Sequence, residues 1–198
     1  MSYFEVFGLP RRLGIDVAEL QRQFYELSRR YHPDFHAGAP PDEQASALDA
    51  SARLNAAYRT LRDPVARIEY LVRLEEGRET KEGAAVKAQA SPALLEEMFE
   101  IQEALAQAKA GGLDDGTRAT LRTQRERLGA RRQEEEARLT GPLSAAWDRA
   151  PAEERPKLLA AFKEGLATRA YLLTVIDDLT GALGEGEDTR SHVAHHRH

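Results

Sequence analysis

The residues best suited to interaction chemistry form one short run, Tyr31-His32-Pro33-Asp34. Pro33 locks its own φ angle and disfavours the α conformation at His32, so a helix that precedes this run should end there. We therefore expect Asp34 to lie on a rigid loop, where its carboxylate and the neighbouring imidazole lose little conformational entropy on binding. A fixed, exposed carboxylate suits a bidentate arginine of a partner protein. His-Pro-Asp is also an ordinary turn sequence, so the flanking elements must decide between a binding loop and a simple turn.

Two amphipathic helices flank this run. The first begins at an N-cap, Asp16, with Glu19 three residues later, and its apolar residues then recur at spacings of three and four up to Tyr31. The second runs from about Asp42 to about Leu61 and has acidic residues at its start, where the helix dipole favours them. If the two apolar stripes pack against each other, the loop lies at the tip of the hairpin.

The other face of the first helix carries three arginines, Arg22, Arg29 and Arg30. Spacing alone assigns these arginines to a solvated face.

Composition limits the classes of function. The chain has 198 residues, of which 41 % are hydrophobic and 31 % charged, as in soluble helical proteins with modest cores. Its net charge of −5 gives no general argument for nucleic-acid binding. The absence of cysteine excludes disulfides, thiol catalysis and cysteine-held metals. We expect neither a membrane span nor a secretory signal, because no apolar run is long enough and the N-terminus lacks the required pattern. A cytoplasmic location is the default.

The sequence of the second half of the chain predicts a further helical domain. A Glu-, Gly-, Lys- and Ala-rich stretch over 77–90 is interpreted as a linker. Three amphipathic helices with short turns over 91–183 predict a bundle, and 184–198 is expected to be a disordered tail. Within the first of these helices, Leu95 and Phe99 are surrounded by Glu96, Glu100 and Glu103. They fit a broad core stripe and a partner-binding patch equally well, so both interpretations stay open.

No residue pattern predicts an enzyme. The chain offers no nucleophile–base pair and no phosphate-binding loop, and metal-ligand spacing occurs only in the tail. There, four histidines could coordinate a transition metal: His192, His195, His196 and His198. We expect an unstructured tail instead, and therefore no catalytic residue, no metal site and no cofactor.

Four motifs in order resemble a J-domain, here over 1–76. They are Tyr-Phe-x-x-Phe-Gly-Leu-Pro at 3–10, Tyr-His-Pro-Asp at 31–34, Asn-x-Ala-Tyr-x-x-Leu-x-Asp-Pro at 55–64 and Arg-x-Glu-Tyr-Leu at 67–71. The resemblance implies a co-chaperone that stimulates ATP hydrolysis by a DnaK-family chaperone. It assigns the chaperone contact to His32, Pro33 and Asp34 and to the arginine face. Tyr25 and Glu26 interrupt the basic run that general-purpose members carry there, which predicts a weaker or more selective pairing.

The whole chain up to about residue 183 resembles the HscB family, the J-domain co-chaperones of iron–sulfur cluster assembly. A further motif that carries this resemblance is Phe-Glu-Ile-Gln-Glu-Ala-Leu at 99–105. The resemblance implies an all-α fold, with an N-terminal J-domain joined to a C-terminal three-helix bundle. It also implies that the bundle binds an IscU-type scaffold protein and hands it to an HscA- or DnaK-type chaperone.

By position, the residues that match the scaffold-contacting surface of the family are Leu95, Phe99, Glu100, Glu103 and Tyr171. The bacterial form is the better match, because the cysteine pairs of eukaryotic members are absent. The alternative is a J-domain adaptor for a different client. In that case Leu95 and Phe99 would be core residues, and truncating them would cost about 2–5 kcal/mol of stability.

Overall fold

The computed structural model describes residues 1–36, 38–77 and 92–184. Within these ranges the regular structure is helical and contains no β-strand, which confirms the predicted all-α class. From residue 78 onward the predicted linker lies outside the described residues, as does the predicted tail from residue 185.

The described ranges consist of α-helices joined by loops and turns. In chain order they are α1 (Tyr3–Val6), α2 (Val17–Tyr31), α3 (Pro41–Arg62), α4 (Pro64–Glu75), α5 (Pro92–Gly111), α6 (Asp115–Arg138), α7 (Ser144–Arg149) and α8 (Arg155–Ala182). A 3₁₀ turn, Pro33–His36, lies between α2 and α3, and a π-helical turn, Leu139–Leu143, joins α6 to α7.

The chain divides into two compact units. One comprises Met1–Val86 and Leu139–Phe162, and the other comprises Lys87–Arg138 and Lys163–His198. The predicted boundaries assigned 139–162 to the C-terminal bundle, whereas in the structure this segment packs with the N-terminal helices. Its residues Leu139, Trp147 and Phe162 are fully buried, and the Trp147 and Phe162 rings meet edge to face at 6.0 Å.

The first unit is built around the α2–α3 hairpin that the sequence predicts. The Asp16 carboxylate accepts the backbone N–H groups of Ala18 and Glu19, which confirms it as the N-cap of α2. The Phe24 ring on α2 stacks on Tyr58 of α3 with centroids 4.1 Å apart. Fully buried residues of α1, α2, α3 and α4 complete the core: Phe4, Leu20, Leu54, Leu61, Ile68 and Leu71.

A carboxylate from α7 holds the loop that leads into α2. Asp148 accepts the backbone N–H of Leu13 at 2.8 Å and that of Gly14 at 2.7 Å. Beside it, the buried Arg67 guanidinium donates to the carbonyl oxygens of Leu61 and Leu13. Burial lowers the pKa of Arg67, while the charges of Asp63 and Asp148 act in the opposite direction. The α1–α2 loop is therefore fixed by charge-assisted hydrogen bonds from both sides of its backbone.

The second unit is a three-helix bundle of α5, α6 and the later part of α8. Its buried cluster draws on all three helices and consists of Ile101, Leu105, Leu121, Leu128, Leu172, Val175, Leu179 and Leu183. Polar pairs link the same helices at the surface. Glu97 of α5 pairs with Arg131 of α6, and Glu136 of α6 pairs with Arg169 of α8 at 2.8 Å.

Candidate functional site: an exposed His-Pro-Asp loop and an apolar–acidic helix face

The backbone at the end of α2 follows the prediction made from Pro33. The helix ends at Tyr31, and His32 adopts an extended conformation with φ −66° and ψ 129°. The 3₁₀ turn that follows is closed by the Phe35 N–H, which donates to the His32 carbonyl oxygen at 3.0 Å. The His36 imidazole reaches back to the Arg30 carbonyl oxygen at 3.1 Å. One hydrogen bond therefore closes the turn, and the other ties it to α2.

Asp34 is presented to solvent at the centre of this turn. Its side chain is 88 % exposed, and its Oδ2 lies 3.6 Å from His32 Nδ1. The Asp34 backbone N–H donates to the same Nδ1 at 3.3 Å. The turn thus presents an exposed carboxylate and an imidazole from one short, constrained stretch.

The three predicted arginines lie on the exposed surface of α2. Arg22 pairs with Glu19 one turn earlier, and the Arg30 guanidinium lies 5.7 Å from the centroid of the Tyr31 ring. Arg29 is exposed, as is Tyr25 between Arg22 and Arg29. The structure therefore brings a positively charged helix face and the His-Pro-Asp loop together in the first unit.

The α5 helix has an apolar face that the bundle core does not cover. Leu95 is 41 % exposed and Phe99 is 71 % exposed, and neither belongs to the buried cluster of the second unit. Glu96, Glu100 and Glu103 are exposed beside them. The sequence left core and surface open for this pair, and the structure places both side chains at the surface.

Comparison with known proteins identifies similar domains and structures. The family model of the DnaJ domain matches residues 2–70. Chaperone HscB from Vibrio cholerae is similar in structure, with a TM-score of 0.61 and 25 % identity, over 93 % of this chain and 99 % of that chain. The human co-chaperone protein HscB shares the fold with a TM-score of 0.62 at 24 % identity, over 91 % of this chain and 81 % of that chain.

The chain has an N-terminal DnaJ domain and the fold of an HscB-type co-chaperone. Its DnaJ domain contains the His-Pro-Asp loop and the arginine face of α2. The matched structures extend well beyond the DnaJ domain, so the likeness includes the bundle that carries Leu95 and Phe99.

Tyr171 of this HscB-type chain differs from the other predicted contact residues. It is half-buried against the core of the second unit, and its Oη is buried without a hydrogen-bond partner. Burial raises the pKa of Tyr171, the charges of Glu97 and Asp178 raise it further, and Arg131 lowers it. The structure therefore places Tyr171 at the edge of the bundle core.

Two residues of the HscB-type chain were not singled out from the sequence. Phe35 follows the His-Pro-Asp residues directly and is 75 % exposed. An aromatic residue next to a turn sequence could have drawn attention to this position. Asp148 lies 135 residues from its partner Leu13, and no local pattern marks such a contact.

Over the described ranges, no cluster of three or more histidine or carboxylate side chains could hold a metal ion. No described helix is long and apolar enough to cross a membrane.

Proposed function

We propose that this HscB-type chain delivers an IscU-type iron–sulfur scaffold protein to an HscA- or DnaK-type chaperone and stimulates ATP hydrolysis by that chaperone. The observation that carries the proposal is the exposure of Leu95 and Phe99 in the second unit of a chain whose first unit holds the His-Pro-Asp loop. A binding patch must be exposed in the free protein, whereas a core stripe must not.

The chaperone contact is assigned to the loop and to α2. The Asp34 carboxylate would accept a bidentate arginine of the chaperone, and His32 and Pro33 would hold it in the required conformation. The arginines Arg22, Arg29 and Arg30 would face an acidic surface of the chaperone. Such charge complementarity speeds encounter and selects among partners more than it adds affinity.

The scaffold contact is assigned to α5. Burying Phe99 and Leu95 against the scaffold would contribute about 1.5–3 kcal/mol for each side chain that becomes fully buried. Glu100 and Glu103 would pair with basic residues at the rim, and the Tyr171 ring would support the same surface from α8. The alternative, a J-domain adaptor for a different client, predicted Leu95 and Phe99 as core residues, and their exposure favours the scaffold assignment.

The chain itself would do no chemistry. In this proposal the iron–sulfur cluster is cargo of the scaffold, and a chain without cysteine has no thiolate to bind it. Hydrolysis of ATP would trap the scaffold on the chaperone and allow its cluster to pass to an acceptor. The whole cycle would take place in the cytoplasm, without a resident cofactor, a membrane or a nucleic acid.

The test is ATP turnover by an HscA- or DnaK-type chaperone, measured with the full chain in the presence and absence of an IscU-type scaffold. We expect stimulation by the chain alone, and a synergy when the scaffold is added. Asp34→Asn should abolish both effects, because the isosteric amide cannot form the charged pair. Phe99→Ala should remove only the synergy and leave the melting temperature nearly unchanged. Stimulation indifferent to the scaffold would refute the iron–sulfur assignment.

A further inference from the structure

Phe35 is the most exposed aromatic side chain among the described residues of the first unit. It is 75 % exposed, more than Tyr25 or Leu48 in the same unit. Leaving a phenyl ring in water forgoes the free energy of burying it, so a ring at this place needs an explanation. Neither the buried core nor the ion pairs of α2 provide one, because Phe35 contributes to neither.

The ring is held in a defined position despite its exposure. Its backbone N–H donates to the His32 carbonyl oxygen at 3.0 Å. Its ring meets the His32 imidazole edge to face, with centroids 6.1 Å apart and planes at 74°. A side chain with only two rotatable bonds, held in this way, loses little entropy when a partner covers it.

The position of Phe35 in the turn decides which partner it meets. A 3₁₀ helix repeats every three residues, so Phe35 lies on the same side of the turn as His32, and their ring contact reflects this. Asp34 is between them in sequence. A protein surface that docks on His32 and Asp34 must therefore also cover, or clash with, the Phe35 ring.

We propose that Phe35 is a specificity-determining contact with the chaperone, and that the matching chaperone has an apolar recess beside the cation that binds Asp34. This inference rests on the proposed function of the loop. The Phe35 ring adds an apolar contact to a binding surface that otherwise consists of charged side chains. A chaperone with a polar group in the recess would be disfavoured, because that group would lose its hydration without gaining a hydrogen-bond partner.

The experiment titrates the full chain against a fixed amount of a purified DnaK-type chaperone and measures ATP turnover. Phe35→Ala should raise the half-maximal concentration about tenfold, equivalent to roughly 1.4 kcal/mol, with the maximal stimulation retained. Phe35→Leu keeps an apolar side chain and should stay within about threefold of the unmodified chain. Leu48→Ala removes a comparably exposed apolar side chain of α3 and should change nothing. Because Phe35 is exposed, none of these variants should melt earlier.

Three outcomes would overturn the inference. If Phe35→Ala titrates like Leu48→Ala while Asp34→Asn is inactive, the loop functions as proposed but Phe35 does not contact the chaperone. If Phe35→Ala lowers the maximum without changing the half-maximal concentration, the ring only positions His32. If the unmodified chain stimulates no DnaK- or HscA-type chaperone, the proposed function itself fails and the inference with it.

Discussion

At the scale of the residue, Tyr171 shows how one atom can oppose stability at the edge of a well-packed core. Its Oη is buried without a hydrogen-bond partner, and such a group carries a desolvation penalty that nothing offsets. We predict that Tyr171→Phe leaves the free energy of unfolding unchanged or raises it by up to about 1 kcal/mol, because the ring stays and only the hydroxyl is lost. Urea denaturation at neutral pH measures this directly. A loss of more than about 1 kcal/mol would mean that the hydroxyl has a partner in solution.

The same residue makes a prediction about alkaline pH. Burial raises the pKa of Tyr171 in the folded chain, so the unfolded state loses this proton first as the pH rises. The contribution of Tyr171 to stability is therefore complete below its ordinary pKa of about 10 and is lost as the pH rises through the higher folded value. The melting temperature of Tyr171→Phe should fall less between neutral and alkaline pH than that of the unmodified chain. Parallel losses in both proteins would contradict the assigned shift.

The residues of the loop were the easiest to predict from the sequence, and those of the α5 face were harder. Pro33 fixes the local backbone by covalent geometry, so the helix end at Tyr31 follows from one residue. Phe99 has no such constraint. Its exposure depends on which sides of α5 the other helices cover, and periodicity in α5 alone does not contain that information.

At the scale of the element, the segment 139–162 shows where local patterns are insufficient. Gly141 and Pro142 are residues that commonly end a helix, yet after α6 the chain makes a π-helical turn and continues as α7. The segment then packs with the N-terminal helices, an arrangement fixed by contacts across more than 130 residues of sequence. Helix signals report where a helix starts and ends, and they do not report what it packs against.

The buried face of α8 is ambiguous in the sequence for a related reason. In the structure Leu172 and Val175 are buried, whereas the neighbouring Leu173 and Ile176 are half-buried. Because α8 has neighbouring apolar residues at these positions, a 3.6-residue period fits both registers nearly equally well. Packing against α5 and α6 selects between them.

Asp148 supplies the prediction at this scale. Replacing it with alanine leaves the backbone N–H groups of Leu13 and Gly14 without their acceptor and removes a carboxylate that favours the buried charge of Arg67. We expect Asp148→Ala to lower the free energy of unfolding by about 2–3 kcal/mol, and Asp148→Asn by less, since the amide oxygen can still accept. Asp177→Ala, which removes an exposed carboxylate of α8, is the matched control and should cost under about 0.5 kcal/mol. Equal losses for Asp148→Ala and the control in urea titrations would show that α7 does not hold the loop.

At the scale of the whole molecule, the proposed relay depends on two surfaces that belong to different compact units of one chain. The His-Pro-Asp loop lies in the first unit, and Leu95 and Phe99 lie in the second. Covalent linkage gives the bound scaffold a high effective concentration near the chaperone, which two separate chains would not provide. The proposed function therefore needs both surfaces on the same polypeptide.

This requirement can be tested by mixing two defective variants. Asp34→Asn keeps the scaffold surface and loses the chaperone contact, and Phe99→Ala does the reverse. We predict that an equimolar mixture shows no synergy with the scaffold in chaperone ATP turnover, because no single chain in it binds both partners. The mixture should match Phe99→Ala alone, since Asp34→Asn binds the scaffold but cannot present it to the chaperone. Restored synergy in the mixture would show that the two surfaces cooperate between chains, and the relay would then have to be assigned to an assembly of several copies.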